Sequence, residues 1–212
     1  MLTDFISAAL VTLLVTLDPV ALAPIFVSLT RGMTAAERRR VSTRASLIAF
    51  GILAFFGLGG ELLLRLLGVG IPAFRISGGL LLFWIAFEMV FERRNERKQQ
   101  TADTAITEDH IRNVAAFPLA IPLMAGPGAI TAVILLAGRA DGNVVALSAL
   151  IALIALGVLS CFVVFLAAER VSRWLGVTGN VVLTRLLGVI LAGLAVQFII
   201  NGIESLLRPA AL

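Results

Sequence analysis

Leu17-Asp18-Pro19-Val20-Ala21 and, 108 positions further on, Ala125-Gly126-Pro127-Gly128-Ala129 interrupt two apolar runs at the same point of a repeated pattern. The shift that lays Pro19 on Pro127 also lays Arg31 on Arg139, Glu61 on Glu169 and Arg65 on Arg173, and sets Leu67-Gly68-Val69 over Leu175-Gly176-Val177. After a two-residue insertion the register continues, with Arg75 on Arg185 and Gly78 on Gly188. In so apolar a chain, matches among Leu, Ala and Gly carry little weight. Matches at Arg, Glu and Pro carry more, because these residues are scarce. Each half holds three apolar runs, and an odd number of crossings turns the second copy over in the bilayer. The expected fold class is therefore all-α integral membrane, with six transmembrane helices as two inverted three-helix repeats and broken first and fourth spans. Secondary transporters recurrently use that plan. The repeats cover residues 1–91 and 114–212, and 92–113 link them.

Composition excludes a water-soluble domain. The chain of 212 residues is 59% hydrophobic and 14% charged, with a mean hydropathy of +1.03, far from the soluble range. A hydrocarbon core of ~30 Å takes roughly 20 helical residues, and six segments meet that length or come close to it: 3–29, 45–67, 74–91, 114–138, 144–168 and 183–206. The net charge of +4 does not point to nucleic acid, because the basic residues sit in short loops between spans. A lone cysteine, Cys161, offers neither a disulfide nor a paired metal site and reads as a small core hydrophobe. Asp4 and the lack of a basic segment before the first run argue for a retained span over a cleaved signal peptide.

The loops divide sharply by charge. The first, third and fifth carry thirteen Lys and Arg residues and the opposite side four: Arg65, Arg75, Arg139 and Arg208. The positive-inside rule places the odd-numbered loops in the cytoplasm and both termini on the other side. The polar linker from Glu92 to Arg112 is expected to be solvated and tolerant of change over Gln99–Thr107, with His110 a surface residue and not a ligand.

Chemistry concentrates at the two interruptions. A straight helix from Thr3 to Leu29 would run ~40 Å at about 1.5 Å per residue. Pro19 removes a backbone donor in its middle, so the helix should kink or unwind there, with Asp18 placed to cap the second half. Gly126-Pro127-Gly128, with Pro118 and Pro122 upstream, makes the fourth span equally unlikely to run on unbroken. Broken backbone in lipid is tolerated where protein or a water-lined cavity satisfies it. The matched breaks thus point to one midplane cavity, with helix N-termini near Val20 and Gly128 offering N–H groups to an anion. Asp18 beside them could take an ammonium group or a proton, since a carboxylate at membrane depth is costly and usually functional. The competing reading is that the prolines only bend helices for packing.

The expected substrate-binding set is Asp18, Pro19, Val20, Gly126, Pro127, Gly128 and Thr131. Gln197 and Asn201 share a face of the last span and either line the cavity or bond between helices. Glu61 with Arg65 and Glu169 with Arg173 read as i,i+4 pairs at span ends, Glu88 as interfacial, and Gly57, Gly59, Gly60, Gly78 and Gly79 as packing positions. No nucleophile–base set, metal-ligand cluster or phosphate loop stands in the sequence, so neither an enzyme, a cofactor nor a metal is expected.

Leu17-Asp18-Pro19 with Ala23-Pro24-Ile25-Phe26 resembles the first-span signature of the MarC family of bacterial inner-membrane proteins. Phe74-Arg75-Ile76-Ser77-Gly78-Gly79-Leu80-Leu81-Leu82-Phe83 resembles its third-span motif. Pro118-Leu119-Ala120-Ile121-Pro122-Leu123, running into Ala125-Gly126-Pro127-Gly128-Ala129-Ile130-Thr131, resembles its fourth. The resemblance implies a six-helix plasma-membrane protein related at fold level to the LysE-type exporters, and some such relatives carry small neutral amino acids. Where many relatives have Gly after Asp-Pro, this chain has Val20. The expected function is secondary transport of small neutral amino acids or similar solutes. A cation exporter and a non-transporting assembly partner are the alternatives, and a homo-oligomer stays open.

Overall fold

The computed structural model describes residues 2–107, 114–140 and 142–207, and the described residues are overwhelmingly helical, with no strand among them. In chain order the helices are α1 (Leu2–Leu17), α2 (Pro19–Leu29), α3 (Ala35–Leu66), α4 (Ile71–Val90) and α5 (Arg93–Thr107). After the irregular segment Ala115–Met124 come α6 (Pro127–Ala140), α7 (Val144–Leu166) and α8 (Ala168–Leu207). Among the described residues, five stretches are long and apolar enough to cross a bilayer: Leu2–Leu29, Ala35–Leu66, Ile71–Val90, Val144–Leu166 and Thr178–Leu207. A sixth, Ala115–Met124 with Pro127–Ala140, qualifies as a pair bent by 56°.

Both interruptions fall where the sequence places them. Asp18 adopts the left-handed conformation, φ 53° and ψ 63°, which Asp tolerates better than most side chains, and Pro19 opens α2 at its first position. In the fourth span Phe117 and Ile121 are extended ahead of two cis prolines, Pro118 and Pro122. Backbone bonds there reach five residues back, from Leu119 N–H to Val114 O at 3.3 Å and from Ala125 N–H to Ala120 O at 2.8 Å. Pro127 then starts α6, as Pro19 starts α2.

Two boundaries differ from expectation for local reasons. α3 begins at Ala35 instead of at 45, because Thr34 and Glu37 form a reciprocal capping box that adds a polar extension to the span. α8 is continuous from Ala168 except at Gly176, whose φ of 61° turns a short first piece away from the spanning part.

The broken spans are the interior. In its most apolar window the first span is 67% buried, against 28% for α3 and for the spanning part of α8. Along α6 every residue from Gly128 to Gly138 except Ile130 is buried. Glycines let the outer helices close around them. A methyl on Gly79 would stand 2.9 Å from the Ala195 carbonyl oxygen, and one on Gly202 2.9 Å from that of Pro72, so α4 and α8 approach nearly backbone to backbone. Methyls on Gly57, Gly60 and Gly78 would instead meet α6 side chains, Val133 at 3.1 Å, Ile134 at 2.7 Å and Thr131 at 2.8 Å, whereas Gly59 meets nothing within 4 Å among the described residues and is no packing position.

Ion pairs gather the odd-numbered loops at one end. Arg38 at the start of α3 pairs with Glu169 at the start of α8, and Arg185 meets Glu92, between α4 and α5, at 3.0 Å. At the other end Arg75 donates to Ser205 Oγ at 3.1 Å and to the Gly138 carbonyl at 3.0 Å. The Glu61–Arg65 pair forms as expected, at 2.6 Å. Glu169 and Arg173 do not pair through their charged groups. The Glu169 carboxylate is taken by Arg38, and Arg173 Nε donates instead to the Glu169 backbone oxygen at 3.2 Å.

The linker departs most from expectation. Its first part is the helix α5, and Arg94, Lys98 and Ala102, spaced by four, form a buried stripe that faces the bundle. Ala102 is fully buried, so Gln99–Thr107 is not wholly solvated. His110 lies outside the described residues.

Candidate functional site

Breaking the first span leaves backbone acceptors without donors, and the linker helix supplies them. The carbonyl of Val15 would ordinarily receive the N–H of residue 19, but Pro19 has none. The left-handed turn at Asp18 likewise takes the next N–H away from the Thr16 carbonyl. Arg94 reaches across from α5 and donates Nη1 to Val15 O at 3.3 Å and Nη2 to Thr16 O. Its planar fork suits two adjacent carbonyls in a way a lysine could not.

Asp18 does not cap α2: its side chain makes no capping hydrogen bond. It is buried at 1% exposure and faces Lys98, whose Nζ lies 3.7 Å from Oδ2. That distance sustains charge attraction but is too long for a hydrogen bond, and neither atom has a hydrogen-bond partner among the described residues. Beside them Glu88, two residues before the end of α4, is also buried and accepts from Arg97 at 2.9 Å. On α5, outside the spans, burial pushes Lys98 down to about 8, with Arg94 adding to the effect and Asp18 opposing it. Burial also lowers Arg94, which Asp18 partly offsets.

The two breaks border one cavity of about 300 Å³. Thr16 contributes from the first break, and Pro122, Gly126 and Pro127 from the fourth. Trp84 and Ile85 come from α4, and Arg94, Arg97, Lys98 and Thr101 from α5. Helix geometry leaves the first N–H groups of α6, after Pro127, without intrahelical acceptors. The wall is thus cationic and rich in donors.

The expected site residues distribute unevenly around this cavity. Gly126 and Pro127 line it, and Asp18 touches it only through Lys98. Pro19 is buried. Gly128 packs against Ile85, a methyl there standing 2.4 Å from Cδ1, and Thr131 is buried against Gly78. Val20 lines a separate cavity of about 420 Å³ with Pro24, Asn95 and Val181. Gln197 and Asn201 bond to each other at 2.8 Å, Gln197 on an exposed part of α8, and they border neither cavity. The α5 cations are the residues sequence reasoning missed. Their four-residue spacing was visible, but a polar linker gives no sign that it folds inward.

Residues 3–207 match the model of the MarC family integral membrane proteins. The chain belongs to the MarC family. A membrane protein of Aquifex aeolicus described as UPF0056 is 37% identical over 205 residues, covering 94% of this chain and 92% of its own. The UPF0056 membrane protein YhcE of Escherichia coli is 36% identical over 192 residues, with 89% and 87% covered. YvbG of Bacillus subtilis is 32% identical over 206 residues, with 97% of each covered. No solved structure matches. MarC membership and the apolar helices make this an integral, multi-pass membrane protein.

Proposed function

We infer that this MarC protein is a secondary transporter of small solutes in the plasma membrane, with small neutral amino acids the first class to test. The observation that carries this reading is that the broken first and fourth spans border one cavity of about 300 Å³. Unwound backbone beside a cavity is how membrane carriers commonly hold polar solutes. The matched positions of Pro19 and Pro127, each opening a helix after a break, support two inverted repeats related through that cavity. The gathering of the arginine-rich loops at one end supports cytoplasmic odd-numbered loops and outward termini. A zwitterion could set its carboxylate among the α5 cations and its ammonium on Asp18 once Lys98 moves away. A cation exporter fits less well, because the charge of Asp18 is already matched by Lys98. The exposed Gln197 and its partner Asn201 favour a protein neighbour, such as a second copy, on that face of α8.

Reconstituted proteoliposomes given a panel of labelled amino acids test the reading. Saturable uptake of glycine, alanine or serine above empty liposomes is expected. Uniform failure across the panel, with the protein correctly inserted, would sink the assignment to small neutral amino acids.

A further inference from the structure

We propose that the linker helix α5 builds an anion site in the cavity between the two breaks, in which Arg97 and Lys98 receive a monocarboxylate head group. The inference rests on the transporter reading only for its biological use. Its chemistry stands on charge and burial.

Five charged groups cluster here: Arg94, Arg97 and Lys98 on α5, Asp18 between α1 and α2, and Glu88 on α4. Among the described residues three cations face two carboxylates, which leaves one positive charge without a described counterpart. The cations line the cavity and the carboxylates do not. Arg94 is committed to the carbonyls of Val15 and Thr16, which fixes it as scaffold. Lys98 is different. It is 7% exposed, its Nζ has no hydrogen bond among the described residues, and it borders the cavity. A buried ammonium with three donors and only a distant carboxylate is under-satisfied. One carboxylate in the cavity would accept from Arg97, whose side chain is 56% exposed beyond its pair with Glu88, and from Lys98 once its Nζ turns from Asp18 into the cavity. The same carboxylate would neutralise the excess charge and meet the donor-rich start of α6. The Thr101 hydroxyl on the cavity wall donates to the Arg97 carbonyl at 2.9 Å and is not a donor to the anion. The volume of about 300 Å³ suits a solute of a few heavy atoms.

Three probes with one carbon skeleton separate the possibilities: propionate, L-alanine and ethylamine. Purified full-length protein in detergent is melted with each at constant ionic strength, sodium chloride or choline chloride replacing the probe in controls. Propionate is expected to protect and ethylamine is not. Arg97→Gln and Lys98→Met are each expected to weaken propionate protection about tenfold, as loss of a charge-assisted hydrogen bond does. If Lys98→Met fails to fold, Arg97→Gln combined with Glu88→Gln carries the test, because removing the ion pair whole leaves no buried carboxylate unpaired. Alanine binding more tightly than propionate supports the site as the carboxylate end of a zwitterion pocket. Propionate binding alone supports a free monocarboxylate. Protection by ethylamine equal to that by propionate, or propionate protection intact in both variants, would overturn the proposal. If propionate protects but no solute crosses proteoliposomes, the anion site stands and transport fails. Should alanine be transported without any propionate protection or competition, transport stands and the anion site falls.

Discussion

Lys98 stands 3.7 Å from Asp18, so a side chain of the linker neutralises the acid at the break of the first span. The Asp18 side chain makes no capping bond, so the substitution Asp18→Asn cannot be mild on capping grounds. It leaves the Lys98 ammonium buried without its carboxylate, and breaking a buried pair typically costs ~3 kcal/mol or more. Asp18→Asn and Lys98→Met are each expected to lower the melting temperature clearly, and the double variant to recover much of the loss. Strictly additive losses would show that the two groups are not coupled.

Raising the pH should relieve the cost of burying Lys98. Its pKa in the folded protein, about 8, lies below the ordinary 10.5. Below about 8 the ammonium is charged in both folded and unfolded chains, and its burial cost is fully present. Between about 8 and 10.5 the unfolded chain binds more protons, so stability at this site rises with pH. Asp18, Arg94 and Cys161 all act on Lys98 and remain in the comparison. Melting of the wild type relative to Lys98→Met should therefore climb between pH 7.5 and 10. A constant difference across that range would contradict the assignment.

Arg94 offers a sharper structural test. Its removal strands the carbonyls of Val15 and Thr16 in a buried place. An unsatisfied buried acceptor costs about 1–3 kcal/mol, so Arg94→Met should destabilise strongly and Arg94→Lys should recover only part. Equal stability of Arg94→Lys and wild type, measured by melting in detergent, would show that the forked contact is dispensable.

The breaks, the spans and the polar boundary at Glu92 were legible because Pro, Gly and charge act locally on backbone and hydropathy. Their partners were not. Lys98 lies eighty positions from Asp18 by the numbering and looks like a solvated linker residue until α5 folds back. Glu169 has Arg173 at helical spacing, yet Arg38 arrives from another helix and takes its carboxylate. The Thr34–Glu37 capping box was readable and explains the long α3. Which face of α8 carries Gln197 could be read, but whether that face looked inward depended on how α8 packs on α4.

Close packing of α4 on α8 predicts a contrast between two glycines of similar hydropathic setting. A methyl on Gly79 would meet Ile199 Cγ1 at 2.6 Å and the Ala195 carbonyl oxygen at 2.9 Å, and backbone cannot step aside. Gly79→Ala should cost roughly 1–3 kcal/mol, as overpacking does. Gly59→Ala meets nothing within 4 Å and should be neutral or gain up to ~1 kcal/mol of helix propensity. Comparable melting temperatures for the two variants would refute the close crossing.

Gly128 links packing to the cavity. A methyl there would lie 2.4 Å from Ile85 Cδ1, the free end of a flexible side chain that itself lines the cavity. Gly128→Ala can be absorbed by a rotamer change at Ile85, at about 1 kcal/mol, and Ile85→Val should remove that cost. Gly128→Leu has no comparable exit. The larger side chain would drive Ile85 into the cavity, so insertion should persist while uptake and propionate protection are lost together. Adding Ile85→Ala should return part of both. If Gly128→Leu takes up solute at the wild-type rate, the cavity between the breaks is not the path of the solute.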